Sequence, residues 1–105
     1  MLKNKQIVLS CDATLQVLTD IEFMLISLKN IARHYYDNVK NIEDIDPLAY
    51  ALETTKFIDE NCIVYKLAEM RAIISEPFDN ELDGDEMEAV EQTMESIRFW
   101  EKPGD

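Results

Sequence analysis

The 105-residue chain carries 22 acidic against 10 basic residues, a net charge of −12. That length bounds it at about one domain, and a hydrophobic content of 47% is too high for a disordered acidic tail. Two glycines are too few for the turns of an all-β fold, and the sign of the charge opposes a phosphate backbone or an anionic membrane surface.

At the start, Lys3 and Lys5 precede Ile7, Val8 and Leu9, and Ser10-Cys11 follows. The outline is that of a lipoprotein signal, but the apolar stretch is far shorter than the roughly 7–15 residues such signals use. No apolar run approaches the roughly 20 residues needed to span a bilayer. Cys11 and Cys62 match no paired-ligand spacing. They read as free, mostly buried thiols of a cytoplasmic protein, with a lone disulfide as the alternative.

A first helix is expected from Asp12, whose carboxylate can cap the first turn, to about Asp37-Asn38. Val17, Ile21, Met24, Leu28, Ile31 and Tyr35 recur at intervals of three and four and define its core stripe. Leu18, Leu25 and Ala32 widen that stripe. Gln16, Asp20, Ser27, Asn30 and His34 form the polar side. Phe23 and Ile26 interrupt the polar side. Either another helix covers them, which would make the first helix central, or they form an exposed contact for a partner.

Asn38 to Asp46 read as a connection. Asp46-Pro47 is a strong start signal, with a capping carboxylate followed by proline at the first helical position. A helical pattern then runs to about Ser75, and Pro77 is expected to stop it. Leu48, Ala51, Leu52, Thr55, Ile58 and Cys62 share one side. Ile63, Leu67, Met70 and Ile74 share another, rotated from the first. The phase changes near Asp59-Glu60-Asn61, so either a kink or a break into two helices is expected there. Tyr50, Phe57 and Val64 form a series opposite the first stripe, as in a helix packed between two neighbours. Phe78 to Gly84 read as a second connection. A last helix is expected from Asp85 to Phe99, with Met87, Val90, Met94 and Ile97 on its core side and Pro103-Gly104 beyond it. The fold class is all-α, a compact bundle of three to four helices in one domain spanning 1–105.

The charge is uneven. Residues 1–42 carry a net +1 and residues 43–105 a net −13. Nine carboxylates lie between Glu76 and Glu95 with no Lys, Arg or His among them: Glu76, Asp79, Glu81, Asp83, Asp85, Glu86, Glu88, Glu91 and Glu95. Glu88, Glu91 and Glu95 share a helix face, with Asp85 nearby. Like charges at that spacing cost about 0.2–0.5 kcal/mol per pair. The helix dipole offsets this at Asp85, Glu86 and Glu88 but not at Glu91 or Glu95. Phe78, Phe99 and Trp100 flank the cluster. Carboxylates beside aromatic anchors suit an electrostatically steered protein interface, although Trp100 could equally cap the bundle core and the charge could serve solubility alone.

Asp79, Glu81, Asp83 and Gly84 match the first, third, fifth and sixth positions of a calcium-binding loop. Glu86 and Val90 then break the pattern at the eighth and twelfth. His34 is the only histidine, and it reads as a partly exposed surface residue beside Arg33. It leaves no basis for a transition-metal site or a nucleophilic triad. No glycine-rich phosphate loop is present. No enzyme activity, cofactor or metal is expected.

In size, acidity and the tract from Phe78 to Trp100, the chain resembles the bacterial immunity proteins that protect a cell from colicin-type or contact-dependent growth-inhibition toxins. The resemblance rests on general character and on no motif, so it transfers no binding residues. It implies one-to-one binding of a basic, nuclease-type toxin domain. The residues that the charge pattern itself assigns to such a partner are Asp79, Glu81, Asp83, Asp85, Glu88, Glu91, Glu95, Phe99 and Trp100. Direct nucleic-acid or membrane binding is not expected. The alternatives are an acidic secretion or assembly chaperone, holding a client segment on Phe23 and Ile26 or on Tyr50 and Phe57, and a DNA mimic. The near-neutral first 42 residues weigh against mimicry.

Overall fold

The structure is a computed structural model that describes residues 5–37 and 39–103. Among them the chain forms four α-helices and one 3-10 turn, with no strand. The helices are α1 (Cys11–Tyr36), α2 (Pro47–Glu60), α3 (Ile63–Glu81) and α4 (Gly84–Glu95), and the 3-10 turn is Ile42–Asp44. The protein is all-α. The expected boundary residues Asn38 and Gly104, and Lys3 of the N-terminal pattern, lie outside the described residues.

α1 starts one residue before Asp12. Ser10, not Asp12, is its cap, accepting at Oγ from the Ala13 N–H at 3.1 Å. Asp12 sits in the first turn, and Arg33 and His34 sit in the last, so the charges at both ends complement the helix dipole. α2 begins as its signal predicts. The Asp46 carboxylate accepts from the Ala49 N–H at 3.0 Å, and Pro47 opens the helix.

The phase change near Asn61 is a break between two helices. Asn61 caps α2, its side-chain amide donating to the Phe57 carbonyl at 3.0 Å. Cys62 then takes a left-handed backbone with φ of 51°. That conformation costs a residue with a Cβ roughly 1–2 kcal/mol, and it redirects the chain into α3.

Pro77 does not stop α3, which continues to Glu81. Proline lacks the N–H that would bond the Ile73 carbonyl, so one rung of the ladder is lost. The helical pattern resumes beyond it, with the Leu82 N–H donating to the Phe78 carbonyl at 3.2 Å. The connection expected over Phe78 to Gly84 therefore shrinks to the two residues between α3 and α4.

Contacts group the chain into two compact units, divided inside α3 between Ile73 and Ile74. One unit is Leu9–Ile73. Its core is Val17 and Met24 of α1 with Ile63 and Met70 of α3, and Phe57, Ile58 and Ile73 pack around them. This core is thin, because no side chain is more than 98% buried.

The buried faces overlap the expected stripes only in part: Val17, Met24, Ile63 and Met70 belong to those stripes and are buried. On α1 the buried residues are Val17, Asp20 and Met24, while Leu18, Ile21, Leu25 and Leu28 are exposed. The packed face is centred about 30° from the middle of the expected stripe, toward the side read as polar, at 100° per residue. Asp20 is thereby buried, with the Gln16 side-chain amide donating to it at 3.4 Å. α3 shows a turn in the same sense: Leu67 and Ile74 are exposed and Lys66 and Ile73 are half-buried.

On α2 only one of the two expected packed sides is covered, the one that carries Tyr50 and Phe57, with Ile58 of the other. Leu48, Ala51, Leu52 and Thr55 are exposed, and Tyr50, Thr54, Phe57 and Ile58 turn inward. Aromatic area decides this. Tyr50 packs against Tyr36 and Tyr35 with ring centroids 5.1 and 6.1 Å apart, and Phe57 lies 5.6 Å from Phe23. Each ring buries more surface than a leucine. Val64, the third member of that series, stands beyond the break and is exposed. Cys11 and Cys62 are free but exposed, not buried, because each sits where a helix begins rather than on a packed face.

Candidate functional site

The second unit takes the N-terminal residues up to Val8 and the chain from Ile74 onward. It contains every residue that the charge pattern assigns to a basic partner. α4 is anchored by a reciprocal cap: the Asp83 carboxylate accepts from the Glu86 N–H at 2.8 Å, and the Glu86 carboxylate accepts from the Asp83 N–H at 3.0 Å. Glu86 also pairs with Lys5 at 3.4 Å. At the end of α3, the Glu81 carboxylate accepts from the Val8 N–H at 3.0 Å.

Three of the nine carboxylates thus have local structural work. Asp83 and Glu86 form the cap, and Glu81 and Glu86 hold the N-terminal segment. Asp79, Asp85, Glu88, Glu91 and Glu95 are exposed and make no side-chain hydrogen bond or ion pair among the described residues. Asp79 and Glu81 lie in the last turn of α3 and Asp83 caps α4, so the residues that match calcium-loop positions do not form one loop. Among the described residues no group of three or more His, Cys, Asp or Glu side chains is placed to hold a metal ion.

Glu88, Glu91 and Glu95 fall within an arc of about 60° on α4 and span about 10 Å along it. Met87 and Val90 lie about 70° and 130° round the helix from the middle of that face, and both are half-buried. α4 ends at Glu95, four residues short of the expected Phe99. Its last turn has no basic residue, and Glu91 and Glu95 face the negative end of the dipole. Ser96 closes the helix, its hydroxyl donating to the Thr93 carbonyl at 2.6 Å. Met94, in the last turn of α4, and Ile97, beyond its end, were expected in the core and are exposed.

Phe99 and Trp100 follow in a non-helical segment, 76% and 83% exposed. Trp100 therefore caps no core. The arrangement is a row of unpaired carboxylates on one helix face, followed in the chain by two aromatic side chains with almost no intramolecular contact.

In the Leu9–Ile73 unit, a groove of about 420 Å³ is lined by Phe23, Ser27, Asn30 and Ile31 of α1 and by Lys56 and Phe57 of α2, among others. Phe23 leans on Phe57, and the Lys66 ammonium stands 5.9 Å from its ring centre. α2 and α3 thus cover part of Phe23, and it remains 41% exposed beside an exposed Ile26. His34 is exposed and packs edge-on against Tyr35 at 4.8 Å.

The N-terminal partners Lys5 and Val8 were not legible as site elements. Lys5 carried a usable signal in its sign, but a backbone N–H such as that of Val8 carries none. Compared with protein-family models, with curated proteins and with solved structures, the chain matches none. No helix among the described residues is long and apolar enough to cross a membrane.

Proposed function

We propose that this chain is an acidic protein-binding inhibitor, most concretely an immunity protein that neutralises a basic, nuclease-type toxin domain in the cytoplasm. Glu88, Glu91 and Glu95, with Asp79 and Asp85, would meet the basic groove with which such an enzyme holds its polyanionic substrate. Phe99 and Trp100 would anchor the complex. Glu81 and Asp83 would add charge at the margin while holding their structural contacts.

The observation that carries this reading is the set of exposed, unpaired carboxylates on α4 beside two exposed aromatics. Like charges on one short helix lower its stability, and exposed aromatics add nothing to the fold. Both are features that a charged partner would use: the field speeds encounter and the rings slow dissociation.

Co-expression with the cognate toxin tests the idea. The chain should restore growth, and the affinity should fall as salt rises. Glu88→Gln with Glu91→Gln and Glu95→Gln should slow association roughly tenfold or more. Trp100→Ala should act mainly on the dissociation rate. An affinity indifferent to salt and to the triple change would sink the electrostatic reading.

The groove at Phe23 and Phe57 favours the second reading, a chaperone holding an extended client segment. That reading requires binding of an unfolded client peptide that is lost on Phe23→Ser.

A further inference from the structure

The exposed apolar face of α1 has a regularity that the fold leaves unused. Leu18, Ile21, Leu25 and Leu28 recur at intervals of three, four and three, and Ala32 continues the series. This is the repeat of a coiled-coil seam. The four residues are 50%, 40%, 48% and 37% exposed, so no element among the described residues packs over the seam. One flank of the seam, Val17, Met24 and Ile31, is turned into the unit's own packing. The other flank carries Glu22 and Lys29, one heptad apart, both exposed and unpaired among the described residues.

We propose that a second copy of this chain covers the face, α1 lying antiparallel on α1 about a twofold axis. The charges select the occupant and the direction. In an antiparallel pair the like flanks face each other. With the axis between Ile26 and Ser27, Glu22 of each copy faces Lys29 of the other, giving two ion pairs. The same register sets Leu25 against Leu28 and Ile21 against the small Ala32, so the bulky layers interdigitate. A register shifted by one heptad would set Glu22 against Glu22. A parallel pair would set Glu22 and Lys29 against the flank that each copy has already buried. Net charge permits the contact as well. Residues 1–42 carry only +1, so the −13 that would repel a second copy is not borne by this helix.

Native Cys11 is a built-in reporter. It lies seven residues before Leu18, on the same seam, and is exposed. In a parallel pair the two Cys11 side chains would face each other. In the proposed register they lie about 45 Å apart along the helices.

The experiment is sedimentation equilibrium of the purified full chain and of three variants, with oxidative cross-linking of Cys62→Ser. The expected result is a concentration-dependent dimer. Glu22→Lys and Lys29→Glu should each raise the dimer dissociation constant roughly tenfold, because each change turns two attractive pairs into two repulsive ones. The double variant Glu22→Lys/Lys29→Glu should return to within about twofold of the parent, and no Cys11-linked dimer should form. Circular dichroism of the variants confirms that exposed charge changes leave the helices intact. A chain that stays monomeric at millimolar concentration, single variants that dimerise like the parent, or ready Cys11–Cys11 cross-linking would each overturn the proposal. The residues proposed for toxin binding belong to the other unit, so growth rescue on co-expression is a separate readout.

Discussion

Replacing Asp83 by alanine should loosen α4 while leaving the Leu9–Ile73 unit unchanged. α4 has 12 residues and buries none of them. It is therefore near the length below which an isolated helix is marginal in water. Its carboxylates at 88, 91 and 95 add repulsion. What favours it locally is the reciprocal cap, with contacts of 2.8 and 3.0 Å between Asp83 and Glu86. Losing an Asp cap costs about 1 kcal/mol, within a range of roughly 0.5–2. With so little tertiary burial on α4, that cost falls on local opening rather than on global unfolding. At about 1 kcal/mol the opening constant rises about fivefold. Amide hydrogen exchange reads this directly. Protection from Met87 to Glu95 should fall about fivefold, with that around Met24 and Met70 unchanged. Asp83→Asn keeps a capping oxygen and should lose no more than about 0.5 kcal/mol. An equal loss of protection across both units would refute the reasoning, because it would mean that α4 opens only with the rest of the chain. Unchanged protection in α4 would mean that the cap contributes nothing.

Two further outcomes concern the other unit. Met70→Ala removes one of four core side chains and should cost about 2 kcal/mol in urea unfolding, the low end for such a change because the core is not fully enclosed. Cys62→Gly should stabilise by about 1 kcal/mol, the relief of the left-handed backbone exceeding the added chain entropy. Cys62→Val should destabilise instead, and thermal melts of the pair would show opposite shifts.

Local chemistry was readable where it acts over a few residues. Asp46-Pro47 marks the start of α2 because a cap and a fixed φ need no distant partner. The break at Asn61-Cys62 was visible as a change of phase, since one straight helix cannot present both stripes to one neighbour. Asp20 shows the limit. Periodicity identifies an apolar arc, but the arc that is buried depends on the rings and helices packed against it. Here Phe57 packs on Phe23, on the side read as polar, and on that side a carboxylate is buried while Leu25 is exposed. Pro77 was misread for another reason. A missing donor removes one hydrogen bond, and a helix gaining enough elsewhere continues past it. The carboxylates of α4 were readable as a group, but the division between those that brace the fold and those left free was not. It depends on Lys5 and Val8, which are more than 70 residues away.

That separation bears on how the chain reaches its folded state. Every contact of the Leu9–Ile73 unit lies within one continuous stretch, so this unit can assemble as soon as its own residues are made. The other unit cannot. The Val8 amide and the Lys5 ammonium leave the ribosome more than 70 residues ahead of their acceptors, Glu81 and Glu86. Their joining closes a long loop, which is slow compared with local helix formation. It is cheaper if the intervening chain has already collapsed. The acidic unit would then mature after the Leu9–Ile73 unit, and it would be the one to loosen if the segment carrying Lys5 and Val8 were removed.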